Sequence, residues 1–504
     1  MSSFVSTNPR TGETEGSYPV SNEQDVYFAV QRSKDIQEDW GSDLDARLNK
    51  LEHFQTYFIL EADNIAKTVC EEIGKPAQEA YGAEILPVCK AISWLLKTGR
   101  RHLKPKRLHN LRNIYEIPVP LGVVGIIGTW NYPILLDLIP MLWALIAGNT
   151  VVWKPSPLAT KCAKVIINLL QKANLPVQMI TGDASTGEQL CRASIDKLAF
   201  TGSAATGRAI MRELALNGTP CVMELSGNDA MIVCDDADIE EASSAAVWAR
   251  CSNAGQSCVA PQRIYVASSV ADKFVKACER KIRSLRPGTD YGPLRSETFA
   301  LRMDEILTEA VEQGACFPSD CKCEESTKGY WRTPALLTNC TETMRVMQED
   351  LFAPVVAVST FQDNAKVVDF INKSSLALSA TIWTTDLAKG KAIASRLHVG
   401  MVGINQEAQL IAADCRIPFG GMRGSGFGTV HGVRGLDEWV KWKVISFQRA
   451  GRMSRHRFPY TQLTVPILSA LVKCTSRKRT CDSLAAAVAL LKAVKDWRQP
   501  EQLE

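Results

Sequence analysis

Residues 198–211 read LAFTGSAATGRAIM. A short apolar run stops at a Gly-Ser turn, and apolar residues at helical spacing begin behind it. The stretch predicts strand, turn and helix in direct succession. A helix that starts behind a glycine turn presents backbone N–H groups with no intrahelical acceptor, and these attract an anion. Gly202, Ser203 and Gly207 are therefore candidate pyrophosphate binders. The spacing G-x-x-x-x-G is present, but Arg208 and Ala209 stand where an NTPase loop needs lysine and a hydroxyl residue. The missing phosphate lysine and magnesium hydroxyl argue against an NTPase. No G-x-G-x-x-G follows a strand.

Two earlier junctions have the same texture. GVVGIIGTWNYP (122–133) closes a strand on glycines with Asn131 just beyond, and NTVVWKPSP (149–157) ends a strand at Lys154. The β-branched runs AMIVC (230–234) and RIYVA (263–267) continue the pattern. A second alternation follows in PVVAVSTF, DNAKVVDFINKS, LSATIWT, DLAKGKAIASRL and GMVGIN, between residues 354 and 405. Strands alternating with helices imply α/β architecture with mostly parallel sheets. Two such units in series are expected, with a boundary near 225–250. Residues 21–102 read as helical. Ser21 and Gln24 have capping-box spacing, and Gly74 and Pro76 end a helical pattern over 44–73.

Composition narrows the class. The chain has 504 residues, 46% hydrophobic and 22% charged, as in folded multi-domain proteins. A net charge of +4 gives no case for nucleic-acid binding by the overall field. Sixteen cysteines form no C-x-x-C pair and no zinc spacing with the six histidines, so no metal site is expected. The N-terminus MSSFVSTNPRTGE has no apolar signal region, which points to a reducing cytoplasm. No apolar run reaches the ~20 residues that span a bilayer. VPILSALV (465–472) and LAAAVALLKAV (484–494) flank the basic run TSRKRT (475–480). They read as packing helices or as an amphipathic tail lying on a membrane surface.

NAGQSCVA (253–260) sets Cys258 behind a Gly-Gln turn, where a thiol can be exposed and activated. The stretches NPRTGE, EIGKPAQEA, GTWNYP, AGNTVVWKPS, FTGSAATGR, MELSGND, NAGQSC, EDLFAPV and IPFGGMRGSGFG occur in that order from about residue 5 to 447. In this the chain resembles the NAD(P)-dependent aldehyde dehydrogenase superfamily. The resemblance implies two doubly wound α/β domains, a Rossmann-like cofactor domain and a catalytic domain, with a small oligomerisation hairpin. It assigns 1–102 and 119–224 to the cofactor domain, and 225–436 to the thiol domain. The hairpin takes 103–118 and 437–449, leaving a basic tail of unassigned role at 450–504. It implies a homodimer or a dimer of dimers.

It also implies roles. Cys258 is the nucleophile, Glu224 the base for thioester hydrolysis, and the Asn131 amide with the Cys258 N–H the oxyanion donors. Lys154, Ser156, Gly202, Ser203 and Gly207 would hold the adenosine ribose and pyrophosphate of NAD or NADP. Trp130, Asp350 and Phe352 would flank the nicotinamide side. Four departures stand out. Pro157 replaces a common ribose-binding glutamate, so NADP is admissible, and Asp350 replaces a longer carboxylate. FAPV stands for Phe-Gly-Pro, and ELSGN for Glu-Leu-Gly-Gly. The implied activity is hydrolytic aldehyde oxidation. The alternatives are a coenzyme A-acylating relative, against which Glu224 argues, and a non-catalytic binding protein on the same fold. RFPY (457–460) resembles the fatty-aldehyde branch and favours long apolar substrates.

Overall fold

From residue 123 the β-branched runs become strands and the patterns between them become helices. The computed structural model describes residues 2–109, 113–318, 328–447 and 464–475, together with Val488. RFPY, most of 484–494, most of TSRKRT, and Cys321 with Cys323 lie outside the described residues. Five strands follow in order: β1 (Val123–Ile127), β2 (Thr150–Lys154), β3 (Val177–Met179), β4 (Lys197–Gly202) and β5 (Cys221–Leu225). Six more are β6 (Ala230–Val233), β7 (Arg263–Ala267), β8 (Ala335–Leu337), β9 (Val355–Phe361), β10 (Ser379–Trp383) and β11 (Met401–Ile404). The short β12 is Gly426–Phe427.

The first sheet has the order β12-β5-β4-β1-β2-β3, parallel except for β12. The second has the order β8-β9-β7-β6-β10-β11 and is parallel throughout. Both are doubly wound. Val124 and Ile126 of β1 pack under the helices Leu44–Leu60, Leu86–His102 and Leu135–Ile146, whereas Val123 and Ile127 face Glu23–Asp35 and Ala184–Arg192. Such alternation is the two-residue period of a strand covered on both faces. The second sheet repeats it: Ala230 and Ile232 face one layer, and Met231 and Val233 the other.

The chain divides into two compact units, Met1–Lys106 with Glu116–Lys443, and Arg107–Tyr115 with Val444–Glu504. Both six-stranded sheets belong to the first. Between Leu225 and Ala230 the chain passes from one sheet to the other. Residues 426–427 then come back, pairing Gly426 with Glu224 and Phe427 with Met223.

One local expectation shifts by a residue. The cap of the first helix is Asn22, boxed with Asp25, rather than Ser21 with Gln24. The Ser21 hydroxyl is taken by the Thr181 N–H at 3.1 Å, so its neighbour caps. The pattern over 44–73 is two helices, Leu44–Leu60 and Ala62–Glu72, and Gly74 follows at φ +91°. VPILSALV lies within the helix Thr464–Cys474.

Candidate active site

The first sheet reverses its winding between β1 and β4, and the ends of these two strands open a crevice. Thr129, Trp130 and Asn131 follow β1, and Gly202 to Ala205 follow β4. All seven line a cavity of about 580 Å³. Glu224 and Cys258 line the same cavity, with Asp350 and Phe352. Much of the wall is apolar, including Leu136, Ile139, Phe299, Phe419 and Val430. Trp130 packs on Phe299 at 4.9 Å and on Phe352 at 6.0 Å between ring centres.

The cysteine turn is held by an unusual backbone. Asn253, Ala254 and Gly255 take φ of +50°, +52° and +73° in succession. Left-handed backbone is costly for alanine, so neighbours must hold it. The Asn253 amide donates to the carbonyls of Asn131 (2.9 Å) and Gln256 (3.1 Å). Its N–H donates to Glu79 Oε2 at 2.8 Å. Fully buried Gln256 donates to the Asn253 carbonyl and accepts from the Arg295 N–H, both at 2.8 Å. A turn closed by the Ala260 N–H on the Ser257 carbonyl then presents Cys258. Gly227 is required here, because a Cβ on it would lie 2.3 Å from the Cys258 carbonyl oxygen.

Asn131 is buried and oriented at both ends of its amide. Its oxygen accepts from the Thr129 hydroxyl at 3.0 Å, and its nitrogen donates to the Gln256 carbonyl at 3.1 Å. An amide nitrogen has two hydrogens, so one remains for a substrate oxygen.

Glu224 is 7% exposed, and neither carboxylate oxygen has a hydrogen-bond partner among the described residues. Burial alone pushes this carboxyl well above the usual carboxylate range. The Cys258 thiol is also pushed up, first by burial and then by the carboxyls of Asp229, Asp350 and Glu224. Asp350 is raised by burial against the pull of Arg250, and Asp229 is raised to about 7 although Ser379 donates to it.

Lys154, Ser156 and Gly207 are not among the residues of the cavity wall. Lys154 is buried at the end of β2, beside Ile127 of β1, and burial pulls its ammonium down to about 8. Ser156 caps the short turn Pro157–Ala159 through Leu158 N–H at 3.3 Å. Ser203 caps the helix Ala204–Asn217. Gly207 sits one turn into that helix, and a Cβ there would meet Leu225 at 2.5 Å. Its place is therefore one of helix-to-strand packing.

Some wall and support residues were not read from sequence. Glu79 and Gln256 lie in motifs already quoted, but their partners are distant in the chain. His431 is a further wall residue. Its Nδ1 has no partner among the described residues, and burial lowers its pKa to about 4, so the ring is neutral at physiological pH. Nothing in its local pattern marks it. Among the described residues, no group of three or more His, Cys, Asp or Glu side chains could hold a metal ion.

The sequence profile of the Aldehyde dehydrogenase family matches residues 2–445. The chain belongs to this family. It is 31% identical to 4,4'-diapolycopene aldehyde oxidase from Methylomonas over 473 residues, covering 91% of this chain and 87% of that protein. It is 30% identical to glutarate-semialdehyde dehydrogenase from Pseudomonas putida, covering 87% of this chain and 93% of that one. Among solved structures, an NADP-dependent enzyme of E. coli superposes with a TM-score of 0.84 at 28% identity, covering 88% and 95% of the two chains. By family, the chain is an oxidoreductase.

Proposed function

We propose that this chain oxidises an aldehyde to a carboxylic acid with NAD or NADP, through a thioester on Cys258 that water cleaves with Glu224 as base. A carboxyl with no hydrogen-bond partner among the described residues faces the same apolar cavity as a thiol, and this observation carries the reading.

The chain's own groups suit each step. Cys258 loses its thiol proton to solvent, its Sγ bonds to the aldehyde carbon, and the C=O π pair moves onto the oxygen as an oxyanion. The unused Asn131 amide hydrogen and the Cys258 N–H are the donors for it. When bound, the dinucleotide supplies the two-electron hydride acceptor that turns this adduct into a thioester. Glu224 then takes a proton from water, and the hydroxide displaces the Cys258 sulfur as the acid forms. A carboxyl whose affinity for a proton is raised by burial suits Glu224 to the role of base toward that water.

The residues present fit a dinucleotide. The first N–H groups of the helix Ala204–Asn217 open on the crevice, and anions bind such ends. Buried Lys154 and Ser156 would hold the ribose side, with Asp350 and Phe352 toward the nicotinamide. Pro157 offers no charge against a 2′-phosphate, so NADP is accepted as well as NAD. The apolar walls favour an uncharged apolar aldehyde. The cationic wall residue Arg302 is already paired with Glu349 at 2.7 Å.

The division into a cofactor domain and a thiol domain follows the two sheets. A homo-oligomer is part of this proposal. Strand Val440–Ser446 is an edge of the three-stranded sheet it forms with Ile114–Pro120 and Lys106–His109, and such an edge can pair with a second copy. The described cysteines are free, which suits a reducing cytoplasm.

The test is reduced-nicotinamide absorbance with aldehydes graded by length and charge, with NAD and NADP in parallel, with and without coenzyme A. Cys258→Ala should abolish turnover. Glu224→Gln should release one equivalent of reduced cofactor in a burst and then stall. Full steady turnover by either variant sinks the assignment, and turnover that requires coenzyme A favours the acylating alternative.

A further inference from the structure

We propose that the C-terminal helix Thr464–Cys474 and the basic residues around it dock this protein on an anionic lipid surface. Charge is segregated along the chain. The unit Arg107–Tyr115 with Val444–Glu504 carries thirteen Lys and Arg against four Asp and Glu, a net +9. The whole chain is only +4, so the larger unit is −5. From Trp439 to Cys481 there are ten Lys and Arg and no acidic residue.

The helix within this basic stretch carries its apolar residues outward. Val465 is 73% exposed, Leu468 56%, Leu471 45% and Val472 70%. At 3.6 residues per turn these four positions fall within about 120° of arc. Ala470, on the far side of the helix, is buried. Lys473 and the run Arg477, Lys478 and Arg479 follow directly in the sequence.

An exposed apolar stripe on a helix that carries Lys473 and lies within a basic stretch of sequence matches the interface of an anionic bilayer. Hydrocarbon takes the stripe, and phosphate and carboxylate headgroups take the basic residues. A net charge of +9 in the sequence of this unit selects an anionic surface as the occupant of the stripe. The helix is too short to span a bilayer, and among the described residues no helix is long and apolar enough to cross one. The contact is therefore peripheral and reversible. It is independent of the catalytic assignment.

The test is flotation of the full chain with phosphatidylcholine vesicles, with and without phosphatidylserine, at low and high salt. Binding should need phosphatidylserine and should weaken with salt. A basic residue near an anionic surface contributes roughly fivefold, so Arg477→Ser, Lys478→Ser and Arg479→Ser together should lower partitioning roughly a hundredfold. Leu468→Glu with Val472→Glu should lower it at least as far. Neither change should alter the soluble protein's turnover. Equal binding to both vesicle types, no binding, or binding indifferent to both variants overturns the proposal. So does a loss of oligomer in the Leu468→Glu, Val472→Glu protein, by light scattering, without vesicle binding by the native chain. That result would make a second copy the occupant.

Discussion

Gly227→Ala should displace the thiol without touching any reacting atom. The added Cβ would lie 2.3 Å from the Cys258 carbonyl oxygen and 2.8 Å from Asp229 Oδ1. Ordinary contact begins at 3.4 Å, and the first clash is with backbone that has no rotamer to change. The turn must therefore retreat by about 1 Å, at a cost of about 1–3 kcal/mol in stability. Misplacing a reacting group by about 1 Å costs on the order of 10²-fold in rate. The expected variant folds, melts a few degrees lower and turns over about a hundredfold more slowly. Gly82→Ala is the control, because nothing lies within 4 Å of its Cβ. Steady-state rates, thermal melting and iodoacetamide labelling of Cys258 would be measured together. A G227A protein with native rate and native labelling would refute the claim that this glycine sets the position of the sulfur.

Glu224→Gln should stabilise the protein increasingly as pH rises from acid to neutral. The folded carboxyl sits above its ordinary 4.5 and holds its proton more tightly than the unfolded chain does, so the native protein loses stability as pH climbs through that window. Urea midpoints that move in parallel for both proteins would contradict this. Lys75→Met should cost about 3–5 kcal/mol, because it leaves Glu84 fully buried without the cation now 2.6 Å away. Adding Glu84→Gln should recover part of the loss in chemical denaturation. A Gln oxygen can still accept from the N–H groups of Ile134 and Leu135, as Glu84 does at 2.8 and 3.1 Å. Pro157→Glu should reduce kcat/KM with NADP at least tenfold relative to NAD, since a carboxylate there repels a 2′-phosphate. An unchanged ratio would remove this position from cofactor choice.

Much of the molecule was readable from the linear chain. Two-residue alternation in β-branched runs and 3.6-residue spacing between them are local properties, so both α/β units were visible before any coordinates. The stretches that place Thr129 to Asn131 and Gly202 to Ala205 at one crevice were visible for the same reason. Boundaries and caps were less readable. Asn22 rather than Ser21 caps its helix because Thr181 competes for the serine hydroxyl, and that contact spans 160 residues.

What the sequence determined by itself was the order of strands and helices, the glycine turns, and which residue types stand at their ends. The tertiary structure alone decided which side chains share a cavity and what their surroundings do to them. The resemblance names Glu224 as a base, but the sequence does not fix how its carboxyl is partnered. In space its carboxyl is buried at the cavity wall, which raises it and leaves it without a hydrogen-bond partner among the described residues. Gly207 reads as a phosphate turn, but in space it meets Leu225. Glu79 and Asn253 meet across 174 residues to hold the backbone behind Cys258. Dehydration and long-range hydrogen bonds depend on which segments pack together, and no local pattern encodes them.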